Sequence, residues 1–473
     1  MKKLLLSASM LMLAGASAFA ATDGQTYETI DGFKCENLWV LDRQHTEADF
    51  NASKLNITNG PRMIAIGDNL YVGSVPEGGA ILSVFDIKTG EHKKDIALKL
   101  ENGDAYNGTL VTNGLNVDEY GHVVIAPYAA NSDGTGAYTI YTVDLETGIV
   151  KLVAELPFAG TMGRVDFSDI IGDVTGTEAN CTIMAAVGQQ NGGLLDIFQW
   201  VLKKGTADWI GGWTGGAFSA SVEETAPTGV ANFGNGVTVR IVRDGSKSGN
   251  MNLFYVDGSS TFPVLYGTDL AAVDKLTDAD LIVKDKETHE VVSGTVPSPE
   301  AGPSGIWEFT VSGQNFCAWP ICQPNDGAGG SLTAITAVDE ERAFTSTKYL
   351  WTVPADGLGT TGGIGRRQRA MATVDQEDGS VLFAVMECYN GMGVYRISKP
   401  GSVESNVVAA ANITVNGDVI AVSEVAETIE VFNVAGQKVA EARNASEVAA
   451  PATGAYIVKA VVAGAPVVKK VIL

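Results

Sequence analysis

The sequence predicts an all-β protein, a β-propeller of six blades, with seven as the alternative, followed by a small C-terminal β-sandwich. Three observations predict it: the composition, a hairpin motif that recurs along the chain, and a run of short strands at the C-terminal end. The 473 residues include 55 Gly, and only 18% are charged. Val and Thr are frequent and helical periodicity is scarce, which is typical of strands joined by tight turns.

The hairpin motif has two forms that alternate along the chain. Leu82–Gly90 and Tyr141–Gly148 share apolar alternation, then Asp, two residues and Thr-Gly. Leu115–Ile125 and Ala372–Phe383 share a strand, Asp, a short turn with Gly and a second strand. Asp can bond the backbone of its own turn and Gly accepts a positive φ, so each motif predicts an antiparallel hairpin. Two hairpins repeated every few tens of residues predict four-stranded propeller blades.

Six predicted blades follow from this repeat. They begin near Met63, Leu115, Arg164, Val237, Ile306 and Ala370. The segment Asn37–Leu41 is expected to complete the last blade by pairing with the strand around Val394. Residues 268–303 are polar and then rich in Pro, and they are predicted to be an insertion between blades.

The N-terminal residues predict a cleaved signal peptide. Lys2 and Lys3 precede the apolar run Leu4–Ala14, and Ala18-Phe-Ala20 before Ala21 fits a small-residue cleavage site. No cysteine directly follows that site, which disfavours a lipid anchor. No second long apolar stretch occurs, so no transmembrane segment is predicted after cleavage.

The C-terminal residues predict three short strands in a small β-sandwich. Ile429–Val439, Gly454–Lys459 and Val467–Leu473 each alternate apolar and polar residues and are bounded by turns. The order and spacing resemble the C-terminal sorting domain of the bacterial type IX secretion system. The usual pattern of that domain is a V-Y-N-x-x-G-x-x-V hairpin, then G-x-Y-x-V, then a terminal strand with Lys.

The resemblance covers about a seventh of the chain. It departs from the family at its start, where Asn412–Asp418 replaces the usual Pro-Asn-Pro-like element. It implies export across the inner membrane, then passage across the outer membrane through the type IX machinery. The mature protein is then expected to be secreted or held at the cell surface.

These patterns divide the chain into four parts. The prediction is a signal peptide over 1–20, a propeller over 21–398, a linker over 399–411 and the sorting domain over 412–473. The propeller region resembles secreted propellers with D-x-x-T-G hairpins, most of which have no known function.

The net charge restricts the class of partner. It is −23 for the whole chain, and residues 408–473 carry six acids and five bases, so the propeller is strongly acidic, near −24. Phosphate contacts require Lys and Arg, so nucleic acid and anionic membranes are excluded as expected partners. The acidity favours solubility outside the cell, with recruitment of divalent cations or basic partners as the alternative.

Five cysteines allow at most two disulfides. Cys317 and Cys322 are predicted to form a local staple in a loop or hairpin. Cys35 and Cys388 are predicted to come close when the ring closes, with two buried free thiols as the alternative. Cys181 is predicted to lie in the core.

Catalytic motifs are scarce, so whether the protein is an enzyme stays open. None of the four histidines stands in a zinc-protease spacing, and no G-x-S-x-G occurs. Gly357–Gly362 matches G-x-G-x-x-G, but no helix is predicted after it. Carboxylates are abundant, so no glycosidase pair can be assigned. No metal or cofactor is predicted; a calcium loop at Asn131–Gly136 is considered but lacks the terminal acid.

Two segments are candidate ligand sites. Trp209 and Trp213 lie in a Gly-rich segment where indoles can stack on sugar rings, with packing between blades as the alternative. Arg366, Arg367 and Arg369 form a basic cluster beside a Gly-rich loop that can bind an anion, with internal salt bridges as the alternative.

Three functions are compatible with these patterns. The first is an exported or surface-exposed binding propeller that recognises an extracellular glycan or protein. The second is a secreted carbohydrate-active enzyme that uses carboxylates, and the third is a structural surface component.

Overall fold

The structure of the chain is a computed structural model. The residues it describes are 23, 25–27, 29–42, 62–108, 111–127, 129–131, 137–157, 163–189, 196–211, 237–258, 261–268, 272–275, 305–322, 331–343, 348–355, 369–387, 391–399, 413–416, 419–433, 436–449, 452, 454–462 and 465–472. Among these residues, no helix is long and apolar enough to cross a membrane.

The regular secondary structure of the described residues consists of strands. In chain order these are β1 (Lys34–Asp42), β2 (Arg62–Ile66), β3 (Asn69–Ser74), β4 (Ile81–Asp86), β5 (His92–Ala97), β6 (Lys99–Leu100), β7 (Asn116–Val117), β8 (Val123–Ile125), β9 (Ala129–Asn131), β10 (Ala137–Val143), β11 (Ile149–Pro157), β12 (Gly163–Gly172), β13 (Cys181–Gln189), β14 (Asp196–Leu202), β15 (Trp209–Gly211), β16 (Thr238–Ile241), β17 (Leu253–Gly258), β18 (Thr261–Gly267), β19 (Ala272–Lys275), β20 (Trp307–Val311), β21 (Gln314–Cys322), β22 (Ser331–Val338), β23 (Lys348–Val353), β24 (Arg369–Asp375), β25 (Val381–Glu387), β26 (Gly391–Ser398), β27 (Ile413–Asn416), β28 (Val419–Asn433), β29 (Lys438–Ala449), β30 (Ala455–Val462) and β31 (Ala465–Ile472).

The chain divides into two compact units, one up to residue 398 without 375–380, the other with 375–380 and 399–473. In the first unit the described strands form six sheets, which are the blades of a propeller and are antiparallel apart from the short pairing of β6 with β11. Blade 1 is β2 to β5, blade 2 is β7, β8, β10 and β11, and blade 3 is β12 to β15. Blade 4 is β16 to β19, blade 5 is β20 to β23, and blade 6 is β24 to β26 with β1. Two short strands extend blades: β6 pairs with β11, and β9 pairs with β12.

The predicted six-bladed fold is confirmed. Each predicted blade start lies within one residue of the first residue of the innermost strand, which is β2, β7, β12, β16, β20 or β24. The predicted insertion at 268–303 needs a correction, because Ala272–Lys275 is the outer strand of blade 4. Residues 276–300 lie outside the described residues.

The N-terminal strand closes the ring, as predicted. β1 pairs with β26 in an antiparallel register that sets Trp39 opposite Val394. Trp39 is 1% exposed, and its indole N–H donates to the Ile87 carbonyl of blade 1 at 2.8 Å. Strand β1 therefore belongs to blade 6 and also holds blade 1.

The core lies between the blades. Six apolar clusters each join two consecutive blades, and the cluster around Trp39, Leu70 and Leu382 joins blade 6 to blade 1. A twisted four-stranded blade cannot bury both faces alone, so each face packs on the next blade.

Tight turns occupy one end of the ring, which we call the turn face. In an antiparallel blade, the turns after the first and third strands lie at the same end. Asp86 accepts the backbone N–H groups of Lys88 and Thr89, and Gly90 has φ 74°. Asp144 does the same for Glu146 and Thr147. These bonds are the physical basis of the D-x-x-T-G motif. The opposite end, where the innermost strands begin, we call the mouth face.

The C-terminal unit is built from β27 to β31. Its strand order is β27-β28-β30-β31, and β29 also pairs with β28. The sheet folds back on itself, so that its two end strands meet: Lys469 on β31 donates to the Ile413 carbonyl on β27 at 2.8 Å. Ile420, Ile429 and Val458 are fully buried in the core between its two layers, as the predicted β-sandwich requires.

The domain boundaries stay predictions. The predicted signal peptide (1–20) and, apart from Lys399, the predicted linker (399–411) lie outside the described residues.

Candidate functional site

The six innermost strands converge on a small cavity in the central channel, near the mouth face. Its volume is about 30 Å³, which is room for about two waters. Every blade contributes to its lining, which comprises Arg62, Met63, Leu115, Phe167, Thr238, Gly305, Ile306, Trp307, Ala370 and Met371. A concave, mostly apolar site with a few polar groups is the general form of a ligand site.

Two aromatic rings in this lining are partly exposed, and each has a guanidinium against it. The Arg62 guanidinium carbon lies 5.5 Å from the centre of the Phe167 ring. The Arg240 guanidinium carbon lies 3.7 Å from the centre of the Trp307 ring. Cation–π contacts of this kind hold ring and guanidinium together.

Hydrogen bonds fix both pairs further. Arg62 Nε donates to the Asn113 carbonyl at 2.6 Å, and Arg62 is buried. Trp307 Nε1 donates to Thr373 Oγ1 at 3.0 Å. The two rings are therefore held in place before any ligand arrives, which lowers the entropy cost of binding.

Asp169 anchors a buried ion network that starts beside the cavity. Its Oδ1 accepts from Arg240 Nη1 at 3.0 Å, and its Oδ2 accepts from Arg243 Nη1 at 2.9 Å. Arg243 Nε also lies 2.9 Å from Glu119 Oε1. In blade 5, Arg342 pairs with Glu308, which accepts the backbone N–H of Arg243. The network therefore links blades 2, 3, 4 and 5.

Burial and charge oppose one another in this network. Burial raises the pKa of Asp169, but the charges of Arg240 and Arg243 outweigh it and hold that pKa below its ordinary value. Burial lowers the pKa of Arg240 to about 10, although Asp169 opposes the shift. Burial raises the pKa of Glu119 and Glu308 in spite of their arginine partners. The arrangement suits a structural staple, in which each charge depends on its partner.

A buried carboxyl group lies behind the cavity lining. The Thr238 hydroxyl donates to Asp257 Oδ1, and both residues are buried. Burial raises the pKa of Asp257 to about 7, although the hydrogen bond from Thr238 opposes the shift.

We predict that Asp257 lowers the unfolding free energy of the propeller as the pH rises from about 4 to about 7. The folded-state pKa lies above the ordinary value of 3.8, so in this window the folded state keeps a proton that the unfolded state releases. Rising pH then favours unfolding. Asp257→Asn stays neutral, so its unfolding free energy should fall less between about pH 5 and about pH 7, by up to a few kcal/mol.

Denaturant unfolding of the wild type and both Asp257→Asn and Asp68→Asn at the two pH values measures this. Asp68 is exposed on the turn face, so Asp68→Asn should keep the wild-type pH dependence. An unchanged pH dependence in Asp257→Asn would contradict the prediction.

A second cluster of ionisable groups lies on the turn face. One ligand atom from each of Asp118, His122 and Asp173 lies within 4.8 Å of the others. The oxygens of the two buried carboxylates already accept hydrogen bonds from the turn backbone. These come from the N–H groups of Tyr120, His122, Val174, Thr175 and Glu178. Burial raises the pKa of Asp173, but the bonds from Glu178 and Thr175 outweigh it and hold that pKa below its ordinary value. The cluster ties blade 2 to blade 3.

The structure separates Trp209 from the cavity. Trp209 lies on β15, at the outer edge of blade 3, and is partly buried against the core between blades 2 and 3. This contact agrees with the alternative that Trp209 packs between blades. A binding role for Trp209 stays a prediction. Trp213 lies outside the described residues.

The candidate basic cluster is described at one position. Arg366 and Arg367 lie outside the described residues. Arg369 is the first residue of β24, and the next residue, Ala370, lines the cavity. The backbone therefore brings the end of this cluster to the mouth face.

Both disulfide expectations need correction. Cys317 and Cys322 lie on one strand, β21, five residues apart, so extended backbone holds their Cα atoms roughly 16 Å apart, too far for a disulfide. Cys35 pairs with Ile397, whereas Glu387 pairs with Gly391 at the other end of the same sheet, and Cys388 lies outside the described residues. The thiols of Cys35, Cys181 and Cys317 are free and buried.

Sequence reasoning missed the residues of the cavity. Arg62, Phe167 and Trp307 lie on three different blades, more than a hundred residues apart in sequence. One signal was present, because all three lie within a few residues of predicted blade starts, where the innermost strands enter the channel.

No protein-family model matches the chain, and no curated protein matches it. Among solved structures, it is similar to a DUF4623 family protein from Bacteroides eggerthii, with 12% identity, 79% of this chain and 77% of that chain covered, and a TM-score of 0.46. It is also similar to an endo-arabinase from Bacteroides thetaiotaomicron (11% identity, 73% and 95% covered, TM-score 0.34). A third is the Aleuria aurantia lectin (10% identity, 72% and 95% covered, TM-score 0.37). At these identities and TM-scores, the similarities carry no argument about function.

Proposed function

We propose that the protein is an exported recognition propeller that binds an extracellular glycan or protein at its mouth face. One observation carries the proposal: the six blades converge there on a cavity flanked by two fixed aromatic rings. Preorganised aromatic surface is what binding sites use, because rigid rings bury large area at low entropy cost.

The state of the nearby carboxylates supports binding rather than turnover. Asp169 accepts bonds from two arginines and from the Ile241 N–H. Glu308 pairs with Arg342. A glycosidase needs two carboxyl groups free to reach the bond that is cleaved, whereas these two are held by arginines and Asp257 is buried behind Thr238.

We further propose that the C-terminal unit directs type IX secretion. The residues of the resembling motif have structural roles that support this. Asn433 accepts the Gln437 N–H through its side chain and the Gly436 N–H through its carbonyl, and Gly436 has φ 78°. These bonds form the hairpin turn of the motif. The predicted strand around Tyr456 is β30, and the predicted terminal strand is β31.

Binding is tested with the mature chain from Ala21 on an array of extracellular glycans and proteins, with and without calcium, and with assays for turnover of the same polysaccharides. Saturable binding without product release supports a recognition module. Product release would favour the enzyme alternative, and self-association without any ligand would favour a structural component.

We predict that a chain ending at Ser398 remains in the periplasm in a type IX-competent host. The propeller's own strands all precede this point, so the truncated chain should still fold and give the wild-type unfolding transition of that unit. Cell fractionation and blotting of periplasm, surface and medium measure the location. As a control, Glu441→Gln in the full chain changes an exposed ion pair and should leave export intact. Export of the truncated chain at the wild-type level would contradict the sorting role.

A further inference from the structure

The cavity at the mouth limits the size of the group that can enter it. Its volume of about 30 Å³ has room for about two waters, or a group of two or three heavy atoms. A sugar ring is larger, so the ring of a bound glycan must stay above the cavity while one substituent enters. A carboxylate has three heavy atoms, and so does the acetyl end of an acetamido group, whose nitrogen then lies at the rim of the cavity.

The lining favours a neutral substituent. Apart from Gly305, Arg62 and Thr238, its side chains are apolar or aromatic. A carboxylate could pair with Arg62, whose Nε already donates to the Asn113 carbonyl, but it would bring a full charge among apolar side chains, beside the buried Asp257 carboxyl behind Thr238. The loss of its hydration would be costly. An acetamido group instead places a methyl against the apolar side chains.

The two polar side chains complement the polar atoms of an acetamido group. That group has one acceptor, its carbonyl oxygen, and one donor, its N–H. Arg62 is a donor, and a guanidinium with five N–H groups can serve several acceptors at once. The Thr238 proton is directed to Asp257, which leaves the lone pairs of its hydroxyl oxygen to accept from an N–H.

The aromatic rings beside the cavity suit a sugar rather than a peptide. Phe167 and Trp307 belong to blades 3 and 5, and both are partly exposed. Each is backed by a guanidinium, and Trp307 is also fixed by its bond to Thr373. Rigid rings of this kind stack on the C–H face of a sugar.

We infer that the mouth of the channel binds an N-acetylated amino sugar, with the acetyl end of the acetamido group in the cavity and the sugar ring against Phe167 and Trp307. This inference rests on the proposed recognition function and names the ligand class of the same site.

Calorimetric titration of the mature full chain tests it with N-acetylglucosamine, glucosamine, glucose and N-acetyl-lysine methyl ester. The expected result is saturable binding of N-acetylglucosamine and at least about tenfold weaker binding of the two sugars without the acetyl group, because Arg62 and Thr238 then lose their partners. Equal binding of all three sugars would overturn the inference. Stronger binding of the acetylated lysine would also overturn it, in favour of a peptide ligand.

Two variants assign the binding to this cavity. Ala370→Val adds methyl groups to the lining and should weaken binding of N-acetylglucosamine about tenfold or more. Ala370 also packs in the core between blades 6 and 1, so the variant should unfold cooperatively at a somewhat lower midpoint. Thr238→Val keeps the shape and removes the hydroxyl, and it serves if the first variant fails to fold. Asp68→Asn, on the turn face, should bind as the wild type does. Wild-type affinity in the folded cavity variants would overturn the inference.

The array described above separates the failure of this inference from that of the proposed function. Saturable binding of other glycans or of proteins, with none of N-acetylated sugars, leaves the recognition function standing and overturns the acetamido site. Absence of all saturable binding overturns both.

Discussion

Replacing Asp169 with asparagine is expected to lower the unfolding free energy of the propeller by about 3–5 kcal/mol. Asp169 is fully buried and accepts hydrogen bonds from Arg240 and Arg243. In Asp169→Asn the buried guanidiniums keep their positive charge without the carboxylate that balances it, and the amide N–H₂ group faces further donors. The loss should be large because the removed partner leaves charge in the interior rather than in water.

Denaturant unfolding at about pH 7 is the appropriate measurement. The arginines hold the pKa of Asp169 below its ordinary value, although burial opposes the shift, so its contribution is present above about pH 4 and is lost as the pH falls below that. Asp68→Asn is the matched control, because Asp68 forms an exposed pair with Lys88 and should cost about 0–1 kcal/mol. A loss in Asp169→Asn no larger than in the control would show that the network does not hold the blades together.

Replacing Trp39 with alanine is expected to cost about 3–5 kcal/mol, the usual loss for a fully buried aromatic residue. Trp39 fills the cluster between blades 6 and 1 and donates to the Ile87 carbonyl. The variant leaves a cavity at the closure of the ring and a buried carbonyl without that donor. Strand β1 should then be the first part of the propeller to open, because the hydrogen bond from the Trp39 indole ties this strand to blade 1.

Chemical denaturation gives the stability, and hydrogen exchange of the β1 amides gives the local opening. Trp209→Ala is the matched control, because Trp209 is partly buried at the outer edge of blade 3 and should cost clearly less. If the two variants lost equal stability, or if β1 exchanged no faster in Trp39→Ala, the closure role of Trp39 would be wrong.

Much of the fold could be predicted because its signals are local. The Asp and Gly residues that end each hairpin act within a few residues, as Asp86 and Gly90 do, so the sequence shows where strands turn. Strand alternation then indicates which residues are buried. The ring closure could be predicted as well. The last predicted blade had three strands from the end of the propeller sequence, so the unassigned N-terminal strand was expected to supply the fourth.

The errors came from properties that depend on register. Cys35 lies on a strand of blade 6, as expected, yet its pairing with Ile397 sets it at the opposite end from Glu387, the last described residue before Cys388. A repeat pattern identifies neighbouring strands but fixes their alignment only to within several residues. The Cys317–Cys322 staple failed because the spacing suited a loop, whereas the segment continues as the strand β21.

By itself, the sequence determined the order of hairpins, the closing strand and the places where turns require Asp and Gly, and it favoured six blades over seven, because these depend on contacts within a few residues. The tertiary structure alone decided which residues meet in the channel. Arg62, Phe167, Thr238 and Trp307 come together because six strands far apart in sequence enter the channel side by side. Asp169 likewise meets Arg243 across two blades, and no local pattern encodes a contact that only closure of the ring creates.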